Sequence, residues 1–364
     1  MRVLNVVGAR PNFMKVAPLA EALSTHRGVE QRLVHTGQHY DPAMSGAFFA
    51  ELGLPRPDID LGVGSGTHAE QTAEVMKRFD PVLVDYEPDI VVVVGDVNST
   101  LACALVAAKR HVPVAHVEAG LRSRDRRMPE EVNRVLTDQV SDFLFTTSRD
   151  AGVNLAREGI PAERVYFVGN TMIDSLAAHL ARARALDTPA ALGLAAGDYA
   201  LVTLHRPSNV DDRDQLREIF AALATIAEQL PVVFPMHPRT RANAERFGVL
   251  EALGGVRVIE PVGYLAMVGL TAAARVVLTD SGGLQEETTY LGVPCVTLRS
   301  STERPVTITH GTNRLVPVRT RENILRACAE PRREPPGPPE LWDGRAAERI
   351  AAVLAGGVDG PGRG

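Results

Sequence analysis

Residues 89–109 read DIVVVVGDVNSTLACALVAAK, and this stretch contains one complete strand-turn-helix unit. The run Asp89–Gly95 is short, apolar and β-branched, which is typical of a strand buried on both faces of a parallel sheet. A polar turn begins at Asp96, and a stretch of helical length follows it. Because similar units recur along all 364 residues, the sequence predicts an α/β protein with parallel, doubly wound sheets.

The strand-like runs form two series, one in each half of the chain. The first comprises Val3–Gly8, Gln31–Thr36, Asp89–Gly95, Val112–Val117, Phe143–Thr147 and Val165–Val168. The second comprises Tyr199–Leu204, Pro231–Pro235, Val256–Ile259, Arg275–Thr279 and Cys295–Leu298. A chain of this length exceeds the usual size of one domain. We therefore predict two Rossmann-like domains, residues 1–170 and 171–340, and a helix at about 341–354 that packs back on the first.

The composition argues against several classes of protein. A formal net charge of -5 does not indicate binding to nucleic acid or to an anionic membrane. No apolar run is long enough to span a bilayer, and the first strand-like run is too short for a signal peptide, so we expect a soluble cytoplasmic protein. The three cysteines, Cys103, Cys295 and Cys328, are isolated, which favours buried thiols over a disulfide framework or a thiolate metal site.

In parallel sheets, ligands bind beyond the carboxyl ends of the strands, so the residues after each run are candidates. GARPNFMK at residues 8–15 places Arg10 and Lys15 at the start of a helix. The turn lacks the GxGxxG fingerprint, which argues against a tightly bound nicotinamide cofactor. The two cations could meet phosphate, although ordinary loop charges are the simpler interpretation of either one alone.

A stronger anion signal lies in DSGGLQEE, residues 280–287. Small residues at Ser281, Gly282 and Gly283 would let the N–H groups of a helix start approach a phosphate closely. Glu287 could accept hydrogen bonds from ribose hydroxyls, and Arg304, in a loop after a strand, suits a phosphate or a uracil edge. The alternative is a glycine-rich turn followed by a solvated acidic helix start.

Three acidic residues of the first half, Asp96, Glu118 and Glu130, also follow strands. Carboxylates that converge on a cleft can have their pKa values driven apart, giving an acid and a base at one pH. Taken singly, Asp96 could cap its helix, and Glu130 could belong to an ordinary helix start. His205 and His237 follow strands of the second half, where a lone histidine is more often structural. Neither HExxH nor GxSxG occurs, so neither a zinc site of that type nor a serine nucleophile is indicated.

The order of several motifs resembles the non-hydrolysing UDP-N-acetylglucosamine 2-epimerases from about Arg2 to Val316. The matching segments are GARPNFMKVAPL, TGQHYD, GDVNSTLA, HVEAGLRS, MPEEVNR, VGN, LHR, LTDSGGLQEE and TERP. The resemblance implies two Rossmann-like domains in the glycosyltransferase-B arrangement with an interdomain cleft, usually as a homodimer. It also implies a UDP-sugar substrate, no nicotinamide cofactor and no required metal.

The chemistry implied by the resemblance is inversion at C2 of the sugar. UDP is eliminated in the anti sense to give a 2-acetamidoglucal, and it then adds back to give the sugar inverted at C2. By motif position, Asp96, Glu118 and Glu130 would be the acid and base groups, and His205 would hold the diphosphate. The resemblance also implies that the following residues lie around UDP: Arg10, Lys15, His237, Ser281, Gly282, Gly283, Glu287 and Arg304.

The chain departs from the family pattern in places. It has HRPSN at residues 205–209 where the family often has HRxEN, and VGYL at 262–265 where the family often has QxYL. Gln38 and His39 of a possible allosteric segment remain, but Asp41 replaces its second Gln. TGQHYD also resembles the corresponding segment of the branch that includes 2,3-diacetamido-uronic acid 2-epimerases. The sequence therefore does not decide which substituents the sugar carries at C3 and C6. A glycosyltransferase of the same architecture, a hydrolysing epimerase and a catalytically silent sensor are the competing hypotheses.

Overall fold

The computed structural model describes residues 1–38, 53, 56–330 and 337–356. The chain divides into two compact units, one formed by Met1–Ser175 with Glu340–Gly364 and the other by Leu176–Pro339. Each unit contains one parallel sheet covered by helices. The predicted fold class, α/β with two doubly wound sheets, is confirmed, whereas the predicted domain bounds and the interdomain cleft stay predictions.

The first unit is built on a parallel sheet with the order β3-β2-β1-β4-β5-β6-β7 among the residues described. Its strands are β1 Arg2–Val7, β2 Glu30–His35, β3 Ile59–Asp60, β4 Ile90–Val94, β5 Val114–Ala119, β6 Phe143–Thr146 and β7 Val165–Phe167. Its helices are α1 Arg10–Ser24, α2 His68–Tyr86, α3 Asn98–Lys109, α4 Pro129–Val140, α5 Arg149–Arg157, the first turns of α6 Thr171–Ala185 and, at the C-terminus, α15 Ala346–Ala355. The central strand β4 is completely buried, which explains its unbroken apolar sequence.

The second unit repeats the arrangement with the order β10-β9-β8-β11-β12-β13. The strands are β8 Ala200–Thr203, β9 Val232–Pro235, β10 Arg257–Ile259, β11 Val276–Thr279, β12 Cys295–Thr297 and β13 Asn313–Leu315. The helices are α7 Thr188–Ala191, α8 Pro207–Val210, α9 Arg213–Ala227, α10 Pro238–Phe247, α11 Tyr264–Ala273, α12 Gly282–Leu291, α13 Val306–Thr309 and α14 Arg321–Ala329. Its core is centred on Phe220 and Phe234, which pack edge to face with ring centroids 6.4 Å apart.

The strand order fixes where a ligand can bind in each unit. In the first sheet the order reverses between β1 and β4, and in the second between β8 and β11. At such a switch point the two following loops diverge to opposite faces of the sheet and leave a crevice at its carboxyl edge. The loops concerned begin at Gly8, Gly95, Leu204 and Asp280, and together with the helices α1 and α12 they carry eight of the fourteen predicted site residues.

Most differences from the predicted elements concern short or bent segments. Strand β3 was missed because it has only two residues, and β13 was missed because its sequence, NRL, has two polar residues instead of an apolar run. The C-terminal helix begins at Ala346 instead of residue 341, since Leu341 and Gly344 have φ values of +61° and +79°, outside the right-handed helical region. Most of the proline-rich linker, residues 331–336, and the tail 357–364 lie outside the described residues.

The C-terminal helix α15 packs on α1 within the first unit. Its apolar face, which includes Ile350 and Leu354, is buried. The carboxylate of Asp174 accepts hydrogen bonds from the N–H groups of Ala346 (3.2 Å) and Ala347 (2.6 Å), and so caps the helix from a distant part of the sequence. Trp342 donates its indole N–H to the Thr147 carbonyl at 2.9 Å. These contacts fasten the C-terminal segment to the first sheet.

The three cysteines are free thiols; Cys103 and Cys295 are buried, as predicted, whereas Cys328 is only partly buried. Within the described ranges, no helix is both long and apolar enough to cross a membrane.

Candidate active site

Glu118 lies in a distorted position at the end of β5. The sequence predicts that it follows the strand, but the structure places it inside, one residue before the strand ends. Its φ is +73°, and the pairing of β5 with β6 shifts register between Val117 and Ala119. A non-glycine residue in this conformation costs about 1–3 kcal/mol and persists only where its surroundings enforce it. The distortion marks Glu118 as a functional candidate, and its side chain is buried.

Lys15, in the second turn of α1, forms a buried ion pair with Glu118. Gly95, at the end of β4, leaves the space that this pair occupies. A Cβ atom on Gly95 would lie 2.9 Å from Lys15 Nζ and 3.4 Å from Glu118 Oε2, and the φ of Gly95 is +67°. Lys15 is therefore not an ordinary loop charge, since its ammonium group lies at the switch point of the first sheet.

Asp96 comes directly after Gly95 and is held by an arginine of α4. Its Oδ2 accepts hydrogen bonds from Arg134 Nε at 3.0 Å and from Arg134 Nη2 at 2.7 Å. The Asp96 side chain is 25% exposed and the arginine 3%. The interpretation of Asp96 as a helix cap is wrong, because Val97 is the N-cap of α3. The carboxylate is thus held by the guanidinium and remains partly exposed.

Glu130 lies in the first turn of α4 and is half-buried. Its neighbour Glu131 carries the local structural role: it accepts hydrogen bonds from the N–H groups of Ser123 (2.9 Å) and Arg124 (2.7 Å) and pairs with Arg134. Because residues four apart on a helix share a face, Glu130 lies on the side of α4 that carries Arg134. The structure thus brings Lys15, Glu118 and Asp96 together and places Glu130 on the helix that holds Asp96.

Three further predicted residues of the first unit can be placed only in part. Arg10 is the first residue of α1, but its side chain is not among those described. Gln38 is buried, and its Oε1 accepts hydrogen bonds from the N–H of Ser99 at 3.0 Å and from its hydroxyl at 2.6 Å. His39 lies outside the described residues. The predicted allosteric role of Gln38 and His39 stays a prediction.

In the second unit, His205 is anchored by the buried Asp280. The Nδ1 of His205 lies 3.0 Å from Asp280 Oδ1, while 45% of the histidine side chain is exposed. Asp280 also accepts hydrogen bonds from the N–H of Arg206 (2.9 Å) and from Asn209 Nδ2 (3.0 Å). Burial alone would raise the pKa of Asp280, but the hydrogen bonds and the charge of His205 bring it below its usual value. An ionised aspartate thus orients His205, whose Nε2 edge is left for a ligand.

His237 lies beside His205, with ring centroids 6.2 Å apart. It is the N-cap of α10, where its Nδ1 accepts a hydrogen bond from the N–H of Arg239 at 3.2 Å. Burial lowers its pKa, and the neighbouring His205 and Arg239 lower it further. The ring therefore has a structural role and, as a neutral imidazole, presents an Nε2–H donor.

Helix α12 begins with the predicted glycines, and Ser281 is its N-cap without a capping hydrogen bond from its side chain. The first N–H groups of a helix have no partner within it, so those of Gly282 and Gly283 can meet an anion. A Cβ atom on Gly282 would lie 2.6 Å from Arg304 Nη1. Arg304 itself is buried against Glu286, at 2.9 Å, and Glu303. It supports the helix start from within, and its predicted contact with UDP stays a prediction.

Glu287 is buried in α12 next to Glu286, so the alternative of a solvated acidic helix start is wrong. Burial and the neighbouring carboxylate raise the pKa of Glu287 to about 8. Near neutral pH this group can donate as well as accept a hydrogen bond, which suits a ribose diol.

Sequence reasoning missed the side chains that support the predicted ones: Arg134, His116, Asp138 and Asp280. Asp280 could have been found, because it directly follows β11 as the other candidates follow their strands. The other three lie inside β5 or well along α4, where nothing in the sequence separates them from solvent-facing or core residues. Among the described residues, no group of three or more His, Cys, Asp or Glu side chains could hold a metal ion.

Comparisons with known proteins identify the family. The family model described as UDP-N-acetylglucosamine 2-epimerase matches residues 21–355. The UDP-N-acetylglucosamine 2-epimerase of Methanocaldococcus jannaschii is 41% identical over 368 residues, 98% of this chain and 100% of that protein. A crystal structure of that enzyme in complex with UDP-GlcNAc and UDP aligns with a TM-score of 0.90 and 42% identity, over 98% of this chain and 100% of the other.

A second relative has a different sugar in its name. The UDP-2,3-diacetamido-2,3-dideoxy-D-glucuronate 2-epimerase of Pseudomonas aeruginosa is 46% identical over 321 residues, 87% of this chain and 88% of that protein. Its similarity agrees with the resemblance of TGQHYD to that branch. The chain therefore belongs to the UDP-N-acetylglucosamine 2-epimerase family, and the membership predicted from its motifs is confirmed.

Proposed function

We propose that this protein is a non-hydrolysing UDP-sugar 2-epimerase that interconverts UDP-N-acetylglucosamine and UDP-N-acetylmannosamine. The observation that carries the proposal is the buried Lys15–Glu118 pair beside Asp96 at the switch point of the first sheet. Proton removal next to a leaving group needs a carboxylate held in place and shielded from water. This cluster provides one on a strained strand end, in a chain similar to 2-epimerases over nearly its whole length.

The reaction has two steps, elimination of UDP and its re-addition. A base removes the C2 proton, the C–H electron pair forms the C1=C2 bond, and UDP leaves with the electrons of the C1–O bond. UDP then adds back at C1 while an acid delivers a proton to the opposite face of C2. The product retains the UDP linkage and differs only in configuration at C2.

The roles follow from the two sheet edges. Asp96, Glu118 and Glu130 act as the acid and base groups. His205, oriented by Asp280, meets the diphosphate together with the N–H groups of Gly282 and Gly283, where charge develops as UDP departs. The remaining UDP contacts come from Arg10, Lys15, His237, Ser281, Glu287 and Arg304, with Glu287 on the ribose.

A second substrate is supported by the relationship to the Pseudomonas enzyme. On this alternative, the sugar carries an acetamido group at C3 and a carboxylate at C6, and the elimination and re-addition are unchanged. The two substrates differ only at C3 and C6, and they share the reacting carbons C1 and C2. A competition experiment between the two substrates therefore measures the specificity of the sugar-binding pocket and not the chemistry at C2.

The test is incubation with each UDP-sugar in deuterated water, followed by proton NMR. Deuterium at C2 with the UDP linkage intact is expected. Accumulating free sugar would indicate a hydrolysing enzyme, and failure to exchange C2 of either substrate would overturn epimerisation. Asp96→Asn serves as the matched inactive control because it removes the charge and preserves the shape.

We also propose a homodimer, in which a second copy covers the outer face of α4 and α5. Val132 and Leu136, one turn apart on α4, are 38% and 46% exposed, and Val153 on α5 is 49% exposed. Light scattering should give twice the chain mass. Leu136→Glu should yield a monomer, whereas the control Val318→Glu, on an apolar side chain of the second unit that is 62% exposed, should remain dimeric. A wild-type monomer would contradict the proposal.

A further inference from the structure

Helix α4 holds the Gly95–Asp96 turn through three of its side chains. Asn133 donates a hydrogen bond to the Asp96 carbonyl at 2.9 Å, and Arg134 binds the Asp96 carboxylate. The third, Asp138, acts through His116 of β5. The Nδ1 of His116 lies 2.6 Å from Asp138 Oδ1, and its Nε2 lies 2.8 Å from the Gly95 carbonyl oxygen.

The surroundings of His116 decide where its protons lie. His116 and Asp138 are both completely buried. The Gly95 carbonyl can only accept a hydrogen bond, so Nε2 carries a proton. Asp138 Oδ2 accepts hydrogen bonds from the N–H of Gly120 at 3.1 Å and pairs with Arg122 Nη2 at 2.7 Å, which favours an ionised carboxylate. Its Oδ1 then accepts from Nδ1–H, and the ring carries a proton on both nitrogens.

A neutral imidazole could not serve both acceptors. It has one N–H, so it would leave either the Gly95 carbonyl or one Asp138 oxygen without a donor in a site closed to water. The doubly protonated ring satisfies both and places a positive charge against Asp138. The Asp138 carboxylate is enclosed by three groups that donate to it: the His116 ring, the N–H of Gly120 and Arg122. Arg122 also pairs with Glu158, at 2.5 Å.

We infer that His116 is a positioning residue of the epimerase, a buried imidazolium that fixes the Gly95 carbonyl and thereby the Asp96 carboxylate. The inference rests on the proposed function and deepens it. His116 does not touch the substrate. It sets the turn from which Asp96 projects and in which Gly95 leaves space for Lys15 and Glu118. A displaced reacting group can lower a rate by about a hundredfold, so the expected effect is on turnover.

The first experiment concerns the ring itself and needs no activity. The protein is labelled with 15N at its ten histidines, and the His116 signals are identified by their absence in His116→Gln. At neutral pH both ring nitrogens should give signals of protonated nitrogen. A signal from one unprotonated ring nitrogen would overturn the inference. If the glutamine variant does not fold, Asp138→Asn identifies the same signals by shifting them.

The second experiment separates positioning from general stability. His116→Gln and Asp138→Asn should each lower kcat about ten- to a hundredfold, with KM and UDP affinity within about twofold of wild type. The control is His35→Gln, which removes another buried histidine of the same sheet, paired with Asp60 at 3.7 Å. It should lower the unfolding temperature while leaving kcat nearly unchanged. Full activity of both test variants, or an equal loss of kcat in the control, would overturn the inference.

The two failures are distinguishable. If wild-type protein exchanges no C2 deuterium on either UDP-sugar, the proposed function fails, whatever the state of His116. If wild type exchanges and the His116 and Asp138 variants do so at full rate, only the positioning role fails.

Discussion

Glu118 and Asp96 at the first sheet edge have surroundings opposite to those of Glu287 at the second. In the first sheet, Glu118 contacts Lys15 and Asp96 contacts Arg134, so each acid meets a cation. In the second turn of α12, Glu287 is as buried as Glu118 but lies beside another acid, and its pKa rises to about 8. The first edge stabilises the charge of both acids before any ligand arrives, whereas the second edge holds, besides the ionised Asp280, an acid whose raised pKa lets it change protonation state.

This difference assigns the two edges different tasks. A buried ion pair is costly to break, because removing one member leaves the other charge unpaired. With the strained backbone of Glu118, such pairs produce a rigid site suited to proton transfer. The second edge presents unpartnered helix N–H groups and a titratable carboxyl group, which suit binding of a charged ligand. Substitutions at the first edge should therefore change turnover, and those at the second should change affinity.

The largest expected effect is loss of a first-edge carboxylate. Asp96→Asn, Glu118→Gln and Glu130→Gln should each lower turnover by about 10²–10⁴-fold, because general acid and base groups contribute in that range. UDP affinity, measured by calorimetry, should remain largely intact. The control Asp80→Asn removes an exposed partner of Arg110 in the same unit and should be neutral. If all three test variants remained fully active, the chemistry would not reside at this edge.

The next effect concerns affinity. Gly282→Ala adds a Cβ atom 2.6 Å from Arg304 Nη1, so either the guanidinium or the helix start must move. We expect UDP to bind about ten- to a hundredfold more weakly, since misplaced N–H donors lose charge-assisted hydrogen bonds. The control Gly255→Ala meets only an ordinary contact at 3.8 Å and should bind normally. Unchanged affinity in Gly282→Ala would remove the helix start from the UDP site.

The sequence predicted these two edges better than their internal supports. Residues after β1, β4, β8 and β11 could be selected because the polar ends of parallel strands are visible in the sequence. The pairing of Lys15 with Glu118 could not, since it depends on the positive φ of Glu118, which no propensity indicates for a glutamate. Asp138 was also missed. In the sequence it cannot be told from a solvent-facing polar residue of a helix, and only the structure shows its contacts with His116 and Arg122.

The fold itself was predictable because apolar runs and their spacing largely determine a doubly wound sheet. Errors occurred where few residues decide the structure. The strand Asn313–Leu315 is fixed by pairing with β12 and not by its own sequence. The start of α15 is set by the backbone at Leu341 and Gly344 and by the distant Asp174. Tertiary contacts overrode local periodicity in both places.

A third prediction tests whether Glu287 loses its proton when UDP binds. With a pKa of about 8, it is mostly protonated at pH 7 without ligand. Ribose hydroxyls that donate to it favour the ionised form, so UDP binding should release close to one proton and strengthen as the pH rises towards about 8. Calorimetry in buffers of different ionisation enthalpy measures the release. Glu287→Gln is the control for protons that come from UDP itself, and equal release by both proteins would show that Glu287 does not ionise on binding.

The smallest expected effect concerns Asp174, a buried acid whose partners are N–H groups instead of a cation. Burial raises its pKa to about 6, although the N–H groups of Ala347 and Ala346 partly oppose the rise. Because the folded pKa exceeds the unfolded value, the stabilisation is complete below about pH 4 and is lost as the pH rises to about 6. The loss is about 3 kcal/mol at most, from two pKa units. Urea unfolding at pH 4.5 and pH 7 can be followed by Trp342, the sole tryptophan, which lies in the segment that Asp174 fastens. Part of the loss has already occurred at pH 4.5, so Asp174→Asn should reduce the difference between the two pH values by about 2 kcal/mol. An unchanged difference would mean that hydrogen bonds from a helix start stabilise the charge as well as a cation does.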